Sequence, residues 1–140
     1  MNRLFSILLV LFLFGCSTTK DKAINRFFHR TTTHYNYYYN AREIFNAAVL
    51  KVENSQKDDY SELLPLFVYG DESSARSVFP EMDVPIEKSY TAIKKHSMRI
   101  KRQERNNWID DCYLLIGQAY FYKKEYFNAK ENFDYLFRSF

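Results

Sequence analysis

Residues 110–140 read DDCYLLIGQAYFYKKEYFNAKENFDYLFRSF, and this stretch decides the fold. Two small and two aromatic residues occur in it at offsets of 0, 3, 12 and 16, namely Gly117, Tyr120, Ala129 and Phe133. Small side chains at Gly117 and Ala129 allow two helices to approach closely, and the two rings fill the space beside that contact. Polar residues 123–125 predict a short turn. The stretch therefore predicts two antiparallel helices packed against each other.

These offsets are typical of the tetratricopeptide repeat, a helix–turn–helix unit of roughly 34 residues. The predicted repeat signature consists of Tyr113, Ile116, Gly117, Tyr120, Ala129 and Phe133, with Tyr113 in place of the usual tryptophan. Such a unit cannot bury its apolar faces alone, so we expect neighbouring helices on both sides. In the frame of the repeat, its last residues would follow Phe140, and we expect the sequence to be the front part of a longer protein.

Composition favours the same all-α class. The chain has 12 Tyr and 13 Phe but only 3 Gly, which suits packed helices with large interdigitating side chains. Its net charge of +3 is too nearly balanced to indicate nucleic acid binding. With only Gly70 and Gly117 after residue 15, glycine-rich phosphate loops are excluded. No C-x-x-C, H-E-x-x-H or G-x-S-x-G motif occurs, so we expect no enzyme, cofactor or small-molecule substrate.

Histidines and paired acids are the remaining candidates for a chemical site. His29 and His34 lie close in sequence while His96 is distant, so a zinc site would need a fold that gathers them, and we predict no metal. Asp110 and Asp111 could support acid–base chemistry or metal binding. Their place at the start of a helix favours capping and interaction with the helix dipole.

The first residues have the pattern of an export signal. An apolar run ends in Leu13-Phe14-Gly15-Cys16 and is too short to span a bilayer. The ending resembles a bacterial lipoprotein box, which implies cleavage after residue 15 and lipidation of Cys16; an ordinary signal with a chance cysteine is the alternative. The tether that follows carries only Asp21 as an acid, which favours the periplasmic face of the outer membrane. Cys112 would then be the only free thiol, and we predict it to be a small buried residue.

Four segments follow from this pattern. We assign 1–15 to the signal peptide, 16–34 to the lipidated cysteine with its tether and approach segment, 35–105 to a degenerate repeat helix, an insert and an amphipathic helix, and 106–140 to the tetratricopeptide repeat.

The segment 35–55 predicts a long helix. Its apolar stripe is Tyr38, Ala41, Phe45, Ala48 and Val52, at spacings of 3 and 4. YYNAREIF at 38–45 also echoes YFNAKENF at 126–133, so we interpret this helix as the second helix of a degenerate repeat whose first helix is irregular. The neighbouring tyrosines at positions 35, 37, 38 and 39 fit either core packing or an exposed anchor patch for a partner.

The middle of the chain predicts an insert and two helices. Leu63, Leu66, Phe67 and Tyr69 are expected to pack the insert against the helices. A short helix is predicted over 73–79, capped by Asp71 or Ser73. Asp83 followed by Pro85 predicts the start of a longer amphipathic helix that ends near residues 105–107. Its basic face would carry the possible docking residues Lys95, Arg99 and Arg102, which fit a solvated face, an acidic partner, anionic lipid or, less well, nucleic acid.

A more specific resemblance extends over most of residues 16–140. The residues that carry its first part are Asn25, Arg26, Phe28, His29, Thr32, Tyr35, Asn36, Tyr39, Asn40 and Ala41. Further matches lie in LPLFVYG at 64–70, HSM at 96–98 and WIDDCYLLIG at 108–117. This pattern resembles the start of the SprE/PorW family, tetratricopeptide lipoproteins of the type IX secretion and gliding-motility machinery of Bacteroidetes.

The resemblance implies a non-catalytic outer-membrane lipoprotein scaffold. Its helical repeats would contact other protein components of the secretion and motility machinery, with the N-terminal lipid in the membrane. Two rival hypotheses remain. One is a SusD-like nutrient-binding lipoprotein, with exposed aromatics stacked on sugar rings; the other is a BamD-like assembly factor for outer-membrane barrels.

Overall fold

The computed structural model describes residues 17–57, 60–61, 63–64 and 66–140. The predicted signal peptide and the predicted lipidation site at Cys16 lie outside these residues. The described chain is mostly helical, which confirms the all-α class. Its helices are α1 (Ala23–Thr32), α2 (Tyr39–Ser55), α3 (Glu72–Ser77), α4 (Phe79–His96), α5 (Ile109–Tyr122) and α6 (Tyr126–Ser139).

The first helical region is continuous from residue 23 to residue 55. A π-helical segment, Thr33–Tyr38, joins α1 to α2, and the Tyr39 N–H donates to the His34 carbonyl five residues earlier. The interpretation of α2 as the second helix of a repeat is wrong in one respect, because the segment before it continues in the same direction instead of folding back. The predicted apolar stripe is confirmed: all five of its residues are buried, Tyr38 at the end of the π-helical segment and the other four in α2.

The short helix α3 begins after Asp71, whose carboxylate accepts a hydrogen bond from the Ser74 N–H at 2.8 Å. Ser74 Oγ in turn accepts from the Asp71 N–H, which completes a capping box. Of the two caps predicted, Asp71 is therefore the one used. Residue 79 belongs to the next helix rather than to α3.

The predicted boundaries of α4 are wrong at both ends. The helix begins at Phe79, and Pro80 in its first turn is the start signal that the chain uses. Asp83 and Pro85 therefore do not mark the start, and Pro85 is buried inside the helix. It ends at His96 instead of near residue 105, because the Ser97 backbone is extended with ψ of 131°.

Residues beyond α4 form a β-hairpin instead of helix. Strand β1 (Arg99–Ile100) pairs antiparallel with β2 (Gln103–Glu104), with Arg99 opposite Glu104. Lys101 and Arg102 form the two-residue loop and have φ values of 51° and 66°. Positive φ at both loop positions is the geometry of a type I′ hairpin, which is seldom built from two long basic residues.

Four helices form the body of the protein. Helix α4 lies antiparallel to α2, since Lys51 near the end of α2 pairs with Glu81 near the start of α4. Helix α5 runs back along α4, as the ion pair between Lys123 and Asp83 shows (2.6 Å). Helix α6 then returns along α5. The buried core that they share includes Phe45, Val52, Met82, Ile86, Cys112, Leu115, Ile116 and Ala119.

The insert is less packed than its sequence predicts. Leu63 is 99% exposed and Leu66 and Phe67 are also exposed, so the expectation that these side chains pack against the helices is wrong. Tyr69 does make such contacts, with the rings of Phe121 and Tyr122 at centroid distances of 5.1 and 6.0 Å. The backbone carbonyls of Tyr69 and Gly70 also accept hydrogen bonds from the Lys124 ammonium group.

Candidate functional site

Helices α5 and α6 pack at the position that their sequence predicts. A Cβ atom on Gly117 would lie less than 3.0 Å from three carbon atoms of the Phe133 ring, so only glycine fits there without a shift. Ala129 is buried on the facing helix. Tyr113 packs on Tyr135 with ring centroids 4.4 Å apart. The predicted helix pair is therefore present, with its small residues at the contact.

Of the predicted signature, Ile116, Gly117 and Ala129 are buried, and Tyr113, Tyr120 and Phe133 are half-buried. Helix α6 also carries exposed aromatic rings, of which Tyr126 contacts the ring of Phe121 on α5 edge to face. Phe137 and Phe127 are 86% and 74% exposed, and Tyr126 is exposed as well. Tyr126 and Phe137 are eleven residues apart, about three helical turns, so both lie on one side of α6. This exposed side is a first candidate docking surface.

A groove of about 470 Å³ lies between α2, the insert, α5 and Phe133 of α6. Its lining includes Phe45, Val49, Phe67, Tyr69, Phe121 and Tyr122. Phe45 and Tyr122 meet edge to face with ring centroids 5.7 Å apart. The lining is chiefly aromatic and aliphatic, which suits an apolar side chain or a planar ring better than a charged group. Sequence reasoning missed this groove because the lining residues come from four separate segments.

A buried polar cluster connects α1, α4 and the hairpin. Asn106 is fully buried, and its side-chain amide donates to the His29 carbonyl of α1 at 3.3 Å, to Thr33 Oγ1 at 2.7 Å and to the His96 carbonyl at 3.0 Å. Its carbonyl oxygen accepts from the Trp108 N–H. Next to it, the Glu104 carboxylate accepts from the backbone N–H groups of Met98, Arg105 and Asn106. The hydrogen bonds of this cluster hold three segments that are distant in sequence.

Two of the three histidines meet in the same region. The Nδ1 atoms of His29 and His96 are 2.9 Å apart, and both residues are buried. One ring must donate and the other accept, so the accepting ring must be neutral and the two rings cannot both be protonated. His34 is elsewhere, stacked on Trp108 with ring centroids 3.8 Å apart. Among the described residues no three His, Cys, Asp or Glu side chains are placed to hold a metal ion.

The histidine pair predicts a pH-dependent stability. Burial lowers the pKa of His96, and the charges of His29 and Lys95 lower it further. In the unfolded chain His96 would titrate near its ordinary pKa of about 6.5, so the unfolded state binds more protons below that pH. We expect the free energy of unfolding in denaturant titrations to fall between about pH 7.5 and pH 5.5, before most carboxylates titrate. A chain carrying His96→Gln should show a smaller decrease; an equal decrease would contradict this assignment.

The acidic pair at the start of α5 lies where the sequence places it. Asp110 and Asp111 are in the first turn, where a helix dipole favours negative charge. Neither one caps the helix, however, because the N-cap residue is Trp108 and it makes no side-chain cap bond. Burial raises the pKa of Asp111, and the neighbouring Asp110 raises it further. Buried Cys112 follows them, and burial raises the pKa of its thiol to about 12, so this thiol is unreactive at neutral pH.

The tyrosine cluster divides between core and surface. Tyr38 is buried in the core and Tyr37 is half-buried, with its ring 5.3 Å from that of His96. Tyr35 and Tyr39 are exposed. Core packing is therefore confirmed for Tyr38, and an anchor patch for a partner stays a prediction for the exposed Tyr35 and Tyr39.

The predicted basic residues do not share one helical face. Lys95 is in the last turn of α4, whereas Arg99 and Arg102 belong to the hairpin. All three are exposed. The Arg99 guanidinium donates to the Tyr135 hydroxyl at 2.9 Å. The prediction of a basic helix face is thus wrong, because the chain turns away at Ser97, but the basic residues still lie at one end of the helical body.

None of the helices in the described ranges is both long and apolar enough to cross a membrane. No protein family model matches the chain, and no curated protein matches it.

Proposed function

We propose that this protein is a non-catalytic scaffold of tetratricopeptide-like helix pairs, anchored through a lipidated Cys16 to the periplasmic face of the outer membrane. Its helices would contact protein components of a type IX secretion and gliding-motility apparatus. The mechanism is tethering: the lipid fixes the N-terminus while the helical body holds a protein-binding surface at a set distance from the membrane.

The observation that carries the proposal is the packing of α5 on α6. The contact between Gly117 and Phe133 has the small-against-aromatic character that such repeats need. Helix α6 then presents Phe127 and Phe137 to the outside. Exposed aromatic side chains on a repeat helix are suited to burial against a further helix or a protein partner. The resemblance to the SprE/PorW family rests on residues within 25–41, 64–70, 96–98 and 108–117.

The groove between α2 and α5 offers a second place for a protein partner. Its apolar lining would accept large side chains of a partner segment, and aromatic groups such as Phe121 and Tyr122 commonly dominate binding energy at protein interfaces. Such binding would rest on the burial of apolar surface and would not depend on a charged side chain in the groove.

One observation favours nutrient binding as a second candidate function. Tyr35 and Tyr39 are exposed and one helical turn apart, as stacking on a sugar ring would require. Addition of a glycan to the purified chain would then change tyrosine fluorescence, and Tyr35→Ala with Tyr39→Ala would remove the change.

Loss of the anchor is expected to remove salt-resistant membrane association and secretion together. With Cys16→Ala the chain cannot receive the lipid, so membranes washed with about 1 M salt, which screens attraction between charges, should retain little of it, and export by the secretion apparatus should stop. Immunoblotting of cell fractions and of the culture medium would measure both. A Ser17→Ala chain is the matched control because it alters the neighbouring residue and keeps the cysteine.

The two readouts separate the parts of the proposal. Secretion that continues with a soluble Cys16→Ala protein would contradict the tethering mechanism. Secretion that is unaffected by deleting the whole protein would contradict the role in export itself.

A further inference from the structure

Charge is distributed very unevenly over the protein. We define the basic end as residues 20–30 and 94–105, which contain ten Lys or Arg and only two acids, Asp21 and Glu104. The rest of the chain contains ten Lys or Arg and fifteen Asp or Glu. A chain of net charge +3 thus concentrates a charge of +8 in two short segments. A positive region of this size attracts anionic partners.

Contacts within the structure join the two segments into one surface. Arg30 Nε donates to the Arg105 carbonyl at 2.8 Å, and Arg105 Nε lies 3.4 Å from Asp21 Oδ2. Asp21 also pairs with Arg26. The positive charge of Lys101 contributes to the lowered pKa of Asp21, after the larger effect of Arg26. The hairpin loop is therefore close to the start of α1, and one acid is shared among several cations.

Helix α1 adds an apolar stripe to this surface. Ile24, Phe27 and Phe28 are all exposed, and with Thr31 they follow the i, i+3, i+4, i+7 spacing of one helix side. The opposite side of α1 is buried through Asn25 and His29. Two phenylalanines and an isoleucine thus face solvent on a helix that Lys20 and Lys22 precede and that carries Arg30 in its last turn.

We propose that the basic end binds an anionic lipid bilayer directly, with α1 lying in the membrane interface. Ile24 and Phe27 would enter the boundary between head groups and acyl chains, while Lys22, Lys101 and Arg102 would contact lipid phosphates. An amphipathic helix that combines phenylalanine with lysine and arginine is typical of such interfacial binding. Basic residues near an anionic surface each contribute about 1 kcal/mol.

The apolar stripe distinguishes a bilayer from an acidic protein. Positive charge alone would attract either partner. Burial of exposed Ile24 and Phe27 in the membrane interface removes their apolar surface from water and so lowers the free energy of binding, whereas a purely acidic surface would not bury them. The proposal goes beyond the scaffold function because it requires no lipid on Cys16. With that lipid present, the same surface would orient the helical body on the membrane.

Vesicle sedimentation tests the proposal with a chain that bears no lipid. Residues 16–140 carrying Cys16→Ser suffice, because the entire described core lies between residues 25 and 132. This chain is expected to sediment with phosphatidylcholine vesicles that contain phosphatidylglycerol and not with phosphatidylcholine alone. About 1 M salt, at which the Debye length is about 3 Å, should release most of it. Equal binding to both vesicle types, or none to either, would overturn the proposal.

Charge variants locate the binding surface. Lys101→Gln with Arg102→Gln should reduce the vesicle partition coefficient about 30-fold, from about 1 kcal/mol for each charge. Lys57→Gln with Arg76→Gln removes the same charge from exposed positions elsewhere and should change it little. Equal losses in both pairs would indicate attraction by net charge alone and would contradict a defined surface.

A tryptophan probe tests for insertion. Phe27→Trp should show a blue-shifted emission on anionic vesicles and quenching by brominated lipid, whereas Phe67→Trp, at a similarly exposed position in the insert, should show neither. Native Trp108, which is half-buried, provides the background measured in the parent chain. Binding without quenching at position 27 would mean that α1 does not enter the interface. Retention of an acidic protein in place of vesicles would assign the basic end to a protein partner.

Discussion

Replacing Asn106 with alanine is expected to lower the free energy of unfolding by about 3 kcal/mol. The side chain is fully buried and donates to Thr33 Oγ1 and the His96 carbonyl, while accepting from the Trp108 N–H. Its loss leaves these buried groups without their partner, and each such group costs about 1–3 kcal/mol. Urea unfolding followed by circular dichroism measures the change.

Asn107→Ala is the matched control, because the neighbouring asparagine is exposed. It should change stability by less than about 0.5 kcal/mol, as most surface substitutions do. If the two alanine variants proved equally stable, the buried polar cluster would not be holding α1, α4 and the hairpin together. Amide exchange offers a second readout, since protection in residues 29–33 should decrease in Asn106→Ala and not in Asn107→Ala.

Gly117→Ala is expected to destabilise the protein by about 2 kcal/mol, although intrinsic helix propensity predicts the opposite sign. Alanine in a helix interior is favoured over glycine by about 0.5–1 kcal/mol. Here, however, the added Cβ would lie less than 3.0 Å from atoms of the Phe133 ring. Overpacking of a close contact costs about 1–3 kcal/mol. The sign of the change, measured by urea unfolding, decides between the two effects.

A second substitution tests whether Phe133 causes the loss. In a chain with Phe133→Leu the smaller side chain leaves room for the added Cβ. Adding Gly117→Ala to that chain should therefore lower the free energy of unfolding by less than it does in the parent chain. The double-mutant cycle should give a coupling energy above about 0.5 kcal/mol. Gln118→Ala, at an exposed position of the same helix, controls for general effects on α5. A stabilised Gly117→Ala protein would contradict the close packing of the two helices.

Helix periodicity predicted several elements correctly because it is a local property. The stripe from Tyr38 to Val52 lies in the core, and Gly117 and Ala129 mark the contact of α5 with α6. The capping role of Asp71 was also readable, since it depends on residues only three positions away. Such signals need no knowledge of distant segments.

The two boundaries of α4 were predicted wrongly because the sequence contains competing signals for where the helix starts and stops. Pro80 and Pro85 both fit the first turn of α4, and the chain uses the earlier one. The spacing of Ile93 and Ile100 continues the helical stripe, yet the chain leaves the helix at Ser97. The Glu104 carboxylate explains this exit, because it binds the N–H groups of Met98 and Arg105 and so holds the ends of the hairpin together.

The sequence by itself determined an all-α chain, the stripe of α2, and the close approach of α5 and α6, because each follows from spacing within one or two neighbouring helices. Only the tertiary structure decided that α1 continues into α2 through a π-helical segment, that His29 meets His96, and that the basic residues gather beside α1. The last two of these features depend on contacts between residues more than sixty positions apart, such as His29 with His96 and Arg30 with Arg105. The spacing of residues within one helix does not identify such pairs, because many distant residues of similar chemistry could form the same hydrogen bonds.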